Sequence, residues 1–255
     1  TLSCSSAASD VYKRQVWFSW SWYSSPLFSL GMSKNSKPLI RLEGIQQAFQ
    51  NRVILDVDQL EIEQGKLTLL SGANGAGKTS LMRVMAGLTK PDQGRMWYRD
   101  EAVSFGKQGL EFRRKVSMLQ QEPYLFSGSV LKQVCYGLIA RSLTQGMEHK
   151  ALKSLESLGC MGLAMRHTRQ LSGGEKKRVA LASLLTLDSE VILLDEPTAQ
   201  VDQESSEKIL ELIQIQLDSG KTLVISTHQP EWAKPLKPRI CLLEYGRIAS
   251  DTLWN

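Results

Sequence analysis

Three short stretches of this sequence carry side chains whose types and spacing suit chemistry on a phosphorylated substrate. The first, at 72–79, reads Gly-Ala-Asn-Gly-Ala-Gly-Lys-Thr, the pattern of a phosphate-binding loop. Its glycines let backbone N–H groups point at phosphate oxygens, and the expected helix adds about half a positive charge at its N-terminus. We expect Lys78 to reach the β- and γ-phosphates of a nucleotide and the Thr79 hydroxyl to ligate Mg²⁺. The predicted nucleotide-binding residues here are Gly72, Ala73, Asn74, Gly75, Ala76, Gly77, Lys78, Thr79 and Ser80.

The second stretch places two adjacent carboxylates after an apolar run. Positions 191–194 are Val-Ile-Leu-Leu, and Asp195 and Glu196 follow directly. An apolar run of this kind is typical of a buried central strand, and open α/β sheets bind their ligands beyond the carboxyl ends of such strands. Asp195 is therefore predicted to face Mg²⁺, and Glu196 is predicted to orient or deprotonate an attacking water.

The third stretch, at 171–175, reads Leu-Ser-Gly-Gly-Glu. Ser172 followed three residues later by Glu175 is a capping box, which predicts the start of a helix. Because Gly173 and Gly174 carry no side chain, the N–H groups at this end stay uncovered and can receive a phosphate. The chain already has one phosphate loop, so we expect this second anion site to serve the nucleotide of another copy.

In chain order, the phosphate loop at 72–79, Leu-Ser-Gly-Gly-Glu at 171–175 and the apolar run with its acidic pair at 191–197 resemble the nucleotide-binding subunit of ATP-binding-cassette (ABC) transporters. The resemblance extends over about 39–248. It implies that Gln121 contacts the Mg²⁺ and water side of the site, that His228 contacts the γ-phosphate, and that Phe49 stacks on adenine. It also implies that Asp202 lies at the interface between two copies. Gln121 and His228 thereby join Glu196 as predicted catalytic residues, and Gln121 joins Thr79 and Asp195 as a predicted metal ligand.

Two positions depart from the family's pattern. The third stretch ends in Glu175 where glutamine is commoner, a change that conserves the shape of the side chain. Positions 199–202 read Ala-Gln-Val-Asp where Ser-Ala-Leu-Asp is usual. This second departure bears on how the two ATP sites of a dimer communicate.

The resemblance implies an ATPase that binds ATP and Mg²⁺, dimerises on ATP as a homodimer, and drives solute transport through a separate membrane permease. It places the chain at the cytoplasmic face of the membrane, with a solute-binding protein as a further partner and no nucleic acid. The stretches 121–130 and 136–138 resemble those of tungstate, molybdate and phosphate importers, with cobalt, nickel and vitamin importers close behind. We therefore expect an importer of an inorganic anion or a metal. The alternatives are the ATPase of an exporter and a non-transport regulatory ATPase.

The elements that must position these residues follow from hydrophobic patterning. Four β-rich runs alternate with helical patterns, which predicts an α/β fold with a P-loop NTPase core and a mainly parallel sheet. The runs lie at 67–70, 191–194, 223–226 and 240–243. A helix is expected over 79–86, ended by Gly87, and a turn over 244–247.

Two smaller parts are expected beside this core. Short β-rich runs at 40–42, 53–55 and 60–62 predict a small antiparallel β-subdomain. Between about 121 and 171, apolar residues at helical spacing predict an inserted helical subdomain, with a packing stripe that includes Ile139.

The amino-acid composition limits which classes of protein are compatible with this sequence. The chain has 255 residues, of which 42% are hydrophobic and 22% charged, and this excludes a disordered or fibrous protein. Its four cysteines form no C-x-x-C pair, which argues against a zinc site or a disulfide scaffold. The net charge of +5 is mild and is compatible with an anionic ligand, with a lipid surface or with neither. A P-loop kinase or GTPase would share the phosphate loop but not the Leu-Ser-Gly-Gly-Glu stretch.

The first thirty-one residues differ from the rest of the chain. Trp17, Trp20 and Trp22 fall close together in a Ser-rich stretch that begins at Thr1. The serines interrupt its apolar run, and no small-residue cleavage site follows, which argues against a targeting signal. We expect 1–31 to be a non-native or disordered extension, with the cassette over 32–255 beginning at Met32.

Overall fold

The computed structural model describes residues 38–199 and 201–254. The predicted extension over 1–31, the predicted start at Met32 and Gln200 lie outside the described residues. Ten strands form two sheets within the described part. In chain order they are β1 (Pro38–Phe49), β2 (Arg52–Glu63), β3 (Leu67–Ser71), β4 (Gln93–Tyr98), β5 (Glu101–Ala102), β6 (Val116–Leu119), β7 (Val191–Asp195), β8 (Thr222–Thr227), β9 (Arg239–Glu244) and β10 (Arg247–Leu253).

The smaller sheet is antiparallel, as expected, with the strand order β2-β1-β4-β5. The prediction of three short strands in this region was wrong in their number and length. The run 40–42 belongs to β1, and the runs 53–55 and 60–62 both belong to β2, because β2 continues without a break across 56–59. Val57 is buried in that middle segment, so it extends the inward-facing row of the strand.

The larger sheet has the strand order β10-β9-β3-β8-β7-β6. All its neighbouring pairs are parallel except β10 with β9, which confirms the predicted α/β fold with a mainly parallel sheet. Successive residues point to opposite faces, so Leu69 joins one hydrophobic core and Leu70 joins another. Because a hydrophobic core packs on each face of the sheet, the central strands are fixed, and the residues at their carboxyl ends keep their positions.

Six α-helices complete the described part. They are α1 (Lys78–Met85), α2 (Leu110–Lys115), α3 (Val130–Ala140), α4 (Met147–Ser157), α5 (Gly173–Leu185) and α6 (Gln203–Asp218). Val134 and Leu138 of α3 are buried, but Ile139 of the predicted packing stripe is 51% exposed. Leu131 of the same helix is partly buried and packs against the core. At about 100° per residue, Ile139 lies about 80° around the helix from Leu131, so its side chain lies outside the packed face.

Two further observations concern the chain's broad class. The cysteines in the described ranges, Cys135, Cys160 and Cys241, are buried and free. Among residues 38–199 and 201–254, no helix has the length and apolar character needed to cross a membrane.

Candidate active site

The carboxyl ends of β3, β7 and β8 meet at one edge of the larger sheet. Ser71 at the end of β3 pairs with Thr227 of β8, and Asp195 at the end of β7 pairs with Ser226 of β8. The phosphate loop, 72–77, follows β3 directly, and the acidic pair ends β7. The structure therefore brings the first two predicted stretches together where open α/β sheets bind their ligands.

Close backbone contacts shape the phosphate loop. Gly72 has a φ of 146°, and a Cβ there would lie 2.2 Å from the Leu243 carbonyl oxygen. Gly77 has a φ of 105°, and a Cβ there would lie 2.9 Å from the Ile54 carbonyl oxygen. Both positions require glycine, because the backbone conformation and the available space each exclude a side chain.

The turn between β9 and β10 holds this loop from the side. The Gly246 N–H donates to the Ala76 carbonyl, and the Gly246 carbonyl accepts from the Asp56 N–H, both at 2.9 Å. Arg247 Nε donates to the Asp56 carboxylate at 2.9 Å, and this hydrogen bond lowers the pKa of Asp56. The shape of the loop thus depends on β2 and on the β9–β10 turn.

Lys78 begins α1 with its side chain inside the curl of the loop. The buried Nζ donates to the carbonyl oxygens of Gly72 at 2.7 Å and Ala73 at 3.1 Å. The N-cap of α1 is Gly77, and no side chain caps this helix end. The positive end of α1 and a buried ammonium therefore face the same small volume, an arrangement suited to a polyphosphate.

Asp195 is buried and accepts hydrogen bonds from two hydroxyls. Thr79 Oγ1 donates to Oδ2 at 2.8 Å, and Ser226 Oγ donates to Oδ1. Ser226 also accepts the Glu196 N–H on its Oγ at 3.1 Å. Ser226 lies at the end of a predicted strand and was not predicted to have a role, although a hydroxyl in a buried apolar strand is a signal that it needs partners.

Glu196 is the second buried carboxylate of the site. Its Oε2 lies 3.0 Å from His228 Nδ1, and its Oε1 lies 3.8 Å from Lys78 Nζ. Oε1 has no hydrogen-bond partner within the described structure. A buried carboxylate oxygen of this kind calls for a donor, and an attacking water or a phosphate-bound group would supply one.

Gln121 lies two residues beyond β6 and is exposed. Leu119 of β6 pairs with Leu194 of β7, so Gln121 falls at the same edge of the sheet as Asp195.

The predicted metal ligands, Gln121, Thr79 and Asp195, include one carboxylate. In the described ranges no group of three or more His, Cys, Asp and Glu residues could hold a metal ion. One carboxylate and a hydroxyl suit Mg²⁺ that is held mainly by substrate phosphates.

The third stretch forms the exposed beginning of α5, and the predicted capping box is confirmed. Ser172 Oγ accepts the Glu175 N–H at 3.3 Å, and Glu175 Oε2 accepts the Ser172 N–H at 2.8 Å. The hydrogen bond from the Ser172 N–H to the carboxylate lowers the pKa of Glu175. A Cβ at Gly173 or Gly174 would meet no atom within 4 Å. Across 38–199 and 201–254 no hydrogen bond joins this helix end to the phosphate loop, so the structure does not bring the two together.

Asp202 is exposed and caps α6. Its carboxylate accepts the Ser205 N–H at 2.8 Å, and this hydrogen bond lowers the pKa of Asp202. Capping explains the residue type within one chain. Its place at an interface between copies stays a prediction.

Phe49 lines a groove of about 610 Å³ beside the phosphate loop, together with Val53, Gly75 and Tyr245. Phe49 is 64% exposed and Tyr245 is 90% exposed. Tyr245 has a φ of 48°, a conformation that disfavours a residue with a side chain. Tyr245 lies in the predicted turn over 244–247 but was not predicted to line a site, although an aromatic residue within such a turn was a signal.

Comparison with known families gives one match along this chain. A family model described as ABC transporter matches residues 55–199, from within β2 to the residues that follow the acidic pair.

Three curated proteins illustrate the similarity. The chain is 36% identical over 220 residues to the energy-coupling factor transporter ATP-binding protein EcfA2 of Methanospirillum hungatei. The aligned region covers 84% of this chain and 55% of that protein. The chain therefore spans about half the length of that relative. It is 34% identical over 229 residues to the nickel import ATP-binding protein NikO of Rhodobacter capsulatus, covering 84% and 88%. It is 32% identical over 211 residues to the tungstate uptake system ATP-binding protein TupC of Peptoclostridium acidaminophilum, covering 82% and 96%.

Solved structures give the same picture. CbiO1 of Clostridium perfringens, part of the ABC transporter complex cbiONQ, superposes with a TM-score of 0.74 at 27% identity, covering 84% of this chain and 88% of that one. The ATP-binding cassette MJ0796, a dimer in a post-hydrolysis state bound to ADP and Pi, superposes with a TM-score of 0.80 at 25% identity, covering 85% and 99%.

Proposed function

This chain belongs to the ABC transporter family, and from that premise we propose that it is the ATP-hydrolysing subunit of an importer. Two copies bind ATP at the sheet edge, close on it head to tail, and drive a separate permease from the cytoplasmic face of the membrane. The proposed cargo is a metal ion or an inorganic anion. Relatives named for nickel import and tungstate uptake support this class, and the dimeric cassette bound to ADP and Pi supports the assembly.

The residues at the sheet edge fit ATP and Mg²⁺. Lys78 and the uncapped N–H groups of α1 would hold phosphate oxygens, and Thr79, Asp195 and Gln121 would hold the ion. The unpartnered Glu196 Oε1, buried 3.8 Å from the Lys78 ammonium, marks the place where a polar group is expected. Bound Mg²⁺ supplies positive charge that neutralises the phosphate oxygens.

Glu196 carries the proposed chemistry, and its unpartnered Oε1 is the observation on which the proposal depends. Because His228 engages Oε2, Oε1 is left to take a proton from water. The oxygen of that water bonds to the γ-phosphorus while the bond to the departing ADP oxygen breaks, so the products are ADP and phosphate. Lys78 stabilises the negative charge that develops, and the site acts mainly by positioning and charge.

The beginning of α5 supports the dimer. Ser172 and Glu175 satisfy each other, yet Gly173 and Gly174 face open space, so the positive end of α5 is uncovered. Within one copy this end does not meet the phosphate loop. A second copy, turned head to tail, would bring its own nucleotide to it.

A second groove, of about 480 Å³, supports docking of a membrane subunit. It lies between β6 and the helices α3 and α5, and its lining includes Gln120, next to the predicted catalytic Gln121. Tyr124, Phe126 and Tyr136 line it and are exposed, with neighbouring rings 5.4 Å and 4.3 Å apart. Exposed aromatic clusters of this kind are typical of protein–protein contacts.

The variant Glu196→Gln tests the proposal. It should bind ATP with unchanged affinity, hydrolyse it about a thousandfold more slowly, and accumulate as an ATP-bound dimer, because only the proton acceptor is lost. Turnover, ATP affinity and the mass in solution with and without ATP are the measurements. Glu231→Gln, which changes an exposed glutamate just beyond β8, is the control and should behave as wild type. Unchanged hydrolysis in Glu196→Gln would remove Glu196 from its role.

The membrane partner needs a separate test. The full chain, purified from detergent-solubilised membranes, should bring down an integral membrane protein, and Tyr136→Ala should weaken that association. After reconstitution, ATP-dependent movement of nickel, cobalt or tungstate from the opposite compartment to the ATPase's own side would identify an importer and its class of cargo, whereas movement away from the ATPase's side would identify an exporter. Recovery of DNA or ribosomes without any membrane protein would overturn the transport function.

A further inference from the structure

A buried lysine on α5 has no role in the mechanism above. Lys177 is 6% exposed, whereas the adjacent Lys176 is exposed to solvent. Burial disfavours the charged form and lowers the pKa of Lys177. Lysine is rarely buried unless its ammonium has partners, because removing the charge from water has a large free-energy cost.

The partners of Lys177 are two backbone carbonyls of the turn that follows β7. Its Nζ donates to the Glu196 carbonyl oxygen at 2.8 Å and to the Ala199 carbonyl oxygen at 2.7 Å. The same turn is closed by the Ala199 N–H, which donates to the Glu196 carbonyl at 3.2 Å. The ammonium therefore binds both ends of the turn at 196–199.

This turn determines where the Glu196 carboxylate points. Glu196 has a φ of 47°, a backbone conformation that is unfavourable for glutamate and persists only when its surroundings impose it. Its N–H is held by the Ser226 carbonyl at 3.2 Å and Oγ at 3.1 Å, and its carbonyl is held by Lys177. Hydrogen bonds on both sides of the residue thus fix the backbone from which the carboxylate projects.

We propose that Lys177 is a positioning residue that ties the Glu196 turn to α5 and so couples the two ATP sites of the dimer. The proposal rests on the function proposed above, in which the beginning of α5 receives the phosphates of the partner's ATP. Lys177 lies five residues after Ser172, about 7.5 Å along the same helix. When the partner's nucleotide displaces α5, Lys177 therefore transmits the movement to the Glu196 turn. The carboxylate on that turn hydrolyses this chain's own ATP.

This arrangement differs from a purely structural role in what it predicts. A lysine that only stabilised the fold would affect ATP affinity, folding and turnover together. A lysine that holds the Glu196 turn acts on turnover alone, because the phosphate loop and α1 bind ATP through other contacts.

The test uses Lys177→Met, which removes both donors with little change in side-chain length, and Lys177→Gln, whose shorter amide keeps one. We expect Lys177→Met to lower kcat about tenfold or more, as for the loss of charge-assisted hydrogen bonds to the turn, with an unchanged Kd for ATP. Lys177→Gln should recover part of the loss. Lys176→Met removes the same charge one position away and should keep wild-type turnover.

A double-mutant cycle with Ser172→Ala tests the coupling. Lys177 is proposed to transmit the effect of phosphate binding at the beginning of α5 to Glu196. In that case the fold-loss in kcat of the double variant should be smaller than the product of the losses in Ser172→Ala and Lys177→Met. Losses that multiply would overturn the relay.

Three results would overturn the role of Lys177 itself. They are wild-type kcat in Lys177→Met, equal losses in Lys177→Met and Lys176→Met, and a fall of ATP affinity in parallel with kcat. If Lys177→Met does not fold, Lys177→Gln decides, and wild-type kcat in that variant overturns the role. A wild-type chain that does not hydrolyse ATP at all would instead refute the proposed function, and the role of Lys177 with it.

Discussion

Two helices of this protein begin with glycine-rich stretches, and they present their positive ends in opposite ways. At α1, no side chain caps the helix, the buried Lys78 fills the curl before it, and the loop backbone is in close contact with Ile54 and Leu243. At α5, Ser172 caps the helix and its first two glycines face open space.

The difference shows that glycine serves two distinct purposes here. In the phosphate loop it is needed because backbone from other segments leaves no room for a side chain. At α5 there is ample room, and a side chain would instead occupy the space through which a ligand approaches. In the proposed function, the first helix end is a complete anion site within one chain, and the second is one half of a site.

The largest expected effect tests the first half of this contrast. Lys78→Ala should weaken the Kd for ATP about a hundredfold, because a buried ammonium contributes charge-assisted hydrogen bonds to phosphate. Calorimetry on dilute, monomeric protein is the measurement, since α1 needs no second copy. Lys90→Ala, an exposed lysine beyond the other end of α1, should bind as wild type. Unchanged affinity in Lys78→Ala would refute the phosphate-loop assignment.

Gly174→Asp tests the second half. The carboxylate fits without a clash and interacts favourably with the helix dipole, so neither stability nor ATP affinity in dilute monomers should fall. Hydrolysis at saturating ATP should drop about tenfold or more, because the new charge faces the partner's phosphates. Gly174→Ala, which adds a Cβ without charge, should lose less activity. Full hydrolysis by Gly174→Asp would show that α5 does not meet a phosphate.

The cap itself gives a smaller effect. Ser172→Ala should lower the free energy of unfolding by about 1 kcal/mol, as for other lost N-caps, and should also lower hydrolysis. Ser129 caps α3 by accepting the Lys132 N–H at 3.3 Å and has no part in the proposed phosphate contact. Ser129→Ala should therefore cost similar stability and keep its turnover. Denaturant titrations with parallel ATPase assays separate the two effects, and equal turnover in both variants would contradict the comparison.

The smallest effect concerns the other half of the capping box. Because Ser172 lowers the pKa of Glu175 below its ordinary value of 4.5, the carboxylate stabilises the fold above that pH and loses this contribution as pH falls through the folded-state pKa. Glutamine accepts the same bond without charge, so Glu175→Gln should lose only a few tenths of a kcal/mol at neutral pH. Unfolding measured at neutral and acid pH should show the difference vanish in acid. A difference that persists there would exclude the charge as its cause.

Local patterns predicted most of the site. The strand, phosphate loop and helix around Lys78, the acidic pair after β7 and the capping box at Ser172 depend on neighbours within a few residues, so residue types and spacing were sufficient. The predicted helix over 79–86 differs from α1 by one residue at each end. By contrast, the break between β1 and β2 depends on Gln50 and Asn51, both at positive φ, and Gln50 is an uncommon residue for such a turn.

Residues that act across long sequence distances were missed for a physical reason. In the sequence, Lys177 is one of two adjacent lysines in a polar part of a helix. Only its contacts with the turn at 196–199 distinguish it from Lys176. Tyr245 reads as a turn residue, and only the fold brings it to the groove of Phe49. Such contacts depend on sheet order and helix packing, which residue spacing along the chain does not encode locally.

The hydrogen bond from Gly246 to Ala76 also governs when, during synthesis, the phosphate loop can take its shape. The loop is translated long before the β9–β10 turn, and until that turn emerges it lacks both this bond and the Leu243 backbone against which Gly72 packs. A ribosome-bound chain that ends short of β9 therefore displays the loop sequence without the loop conformation. The shape of the nucleotide-binding loop therefore depends on translation through the β9–β10 turn, about 170 residues further along the chain.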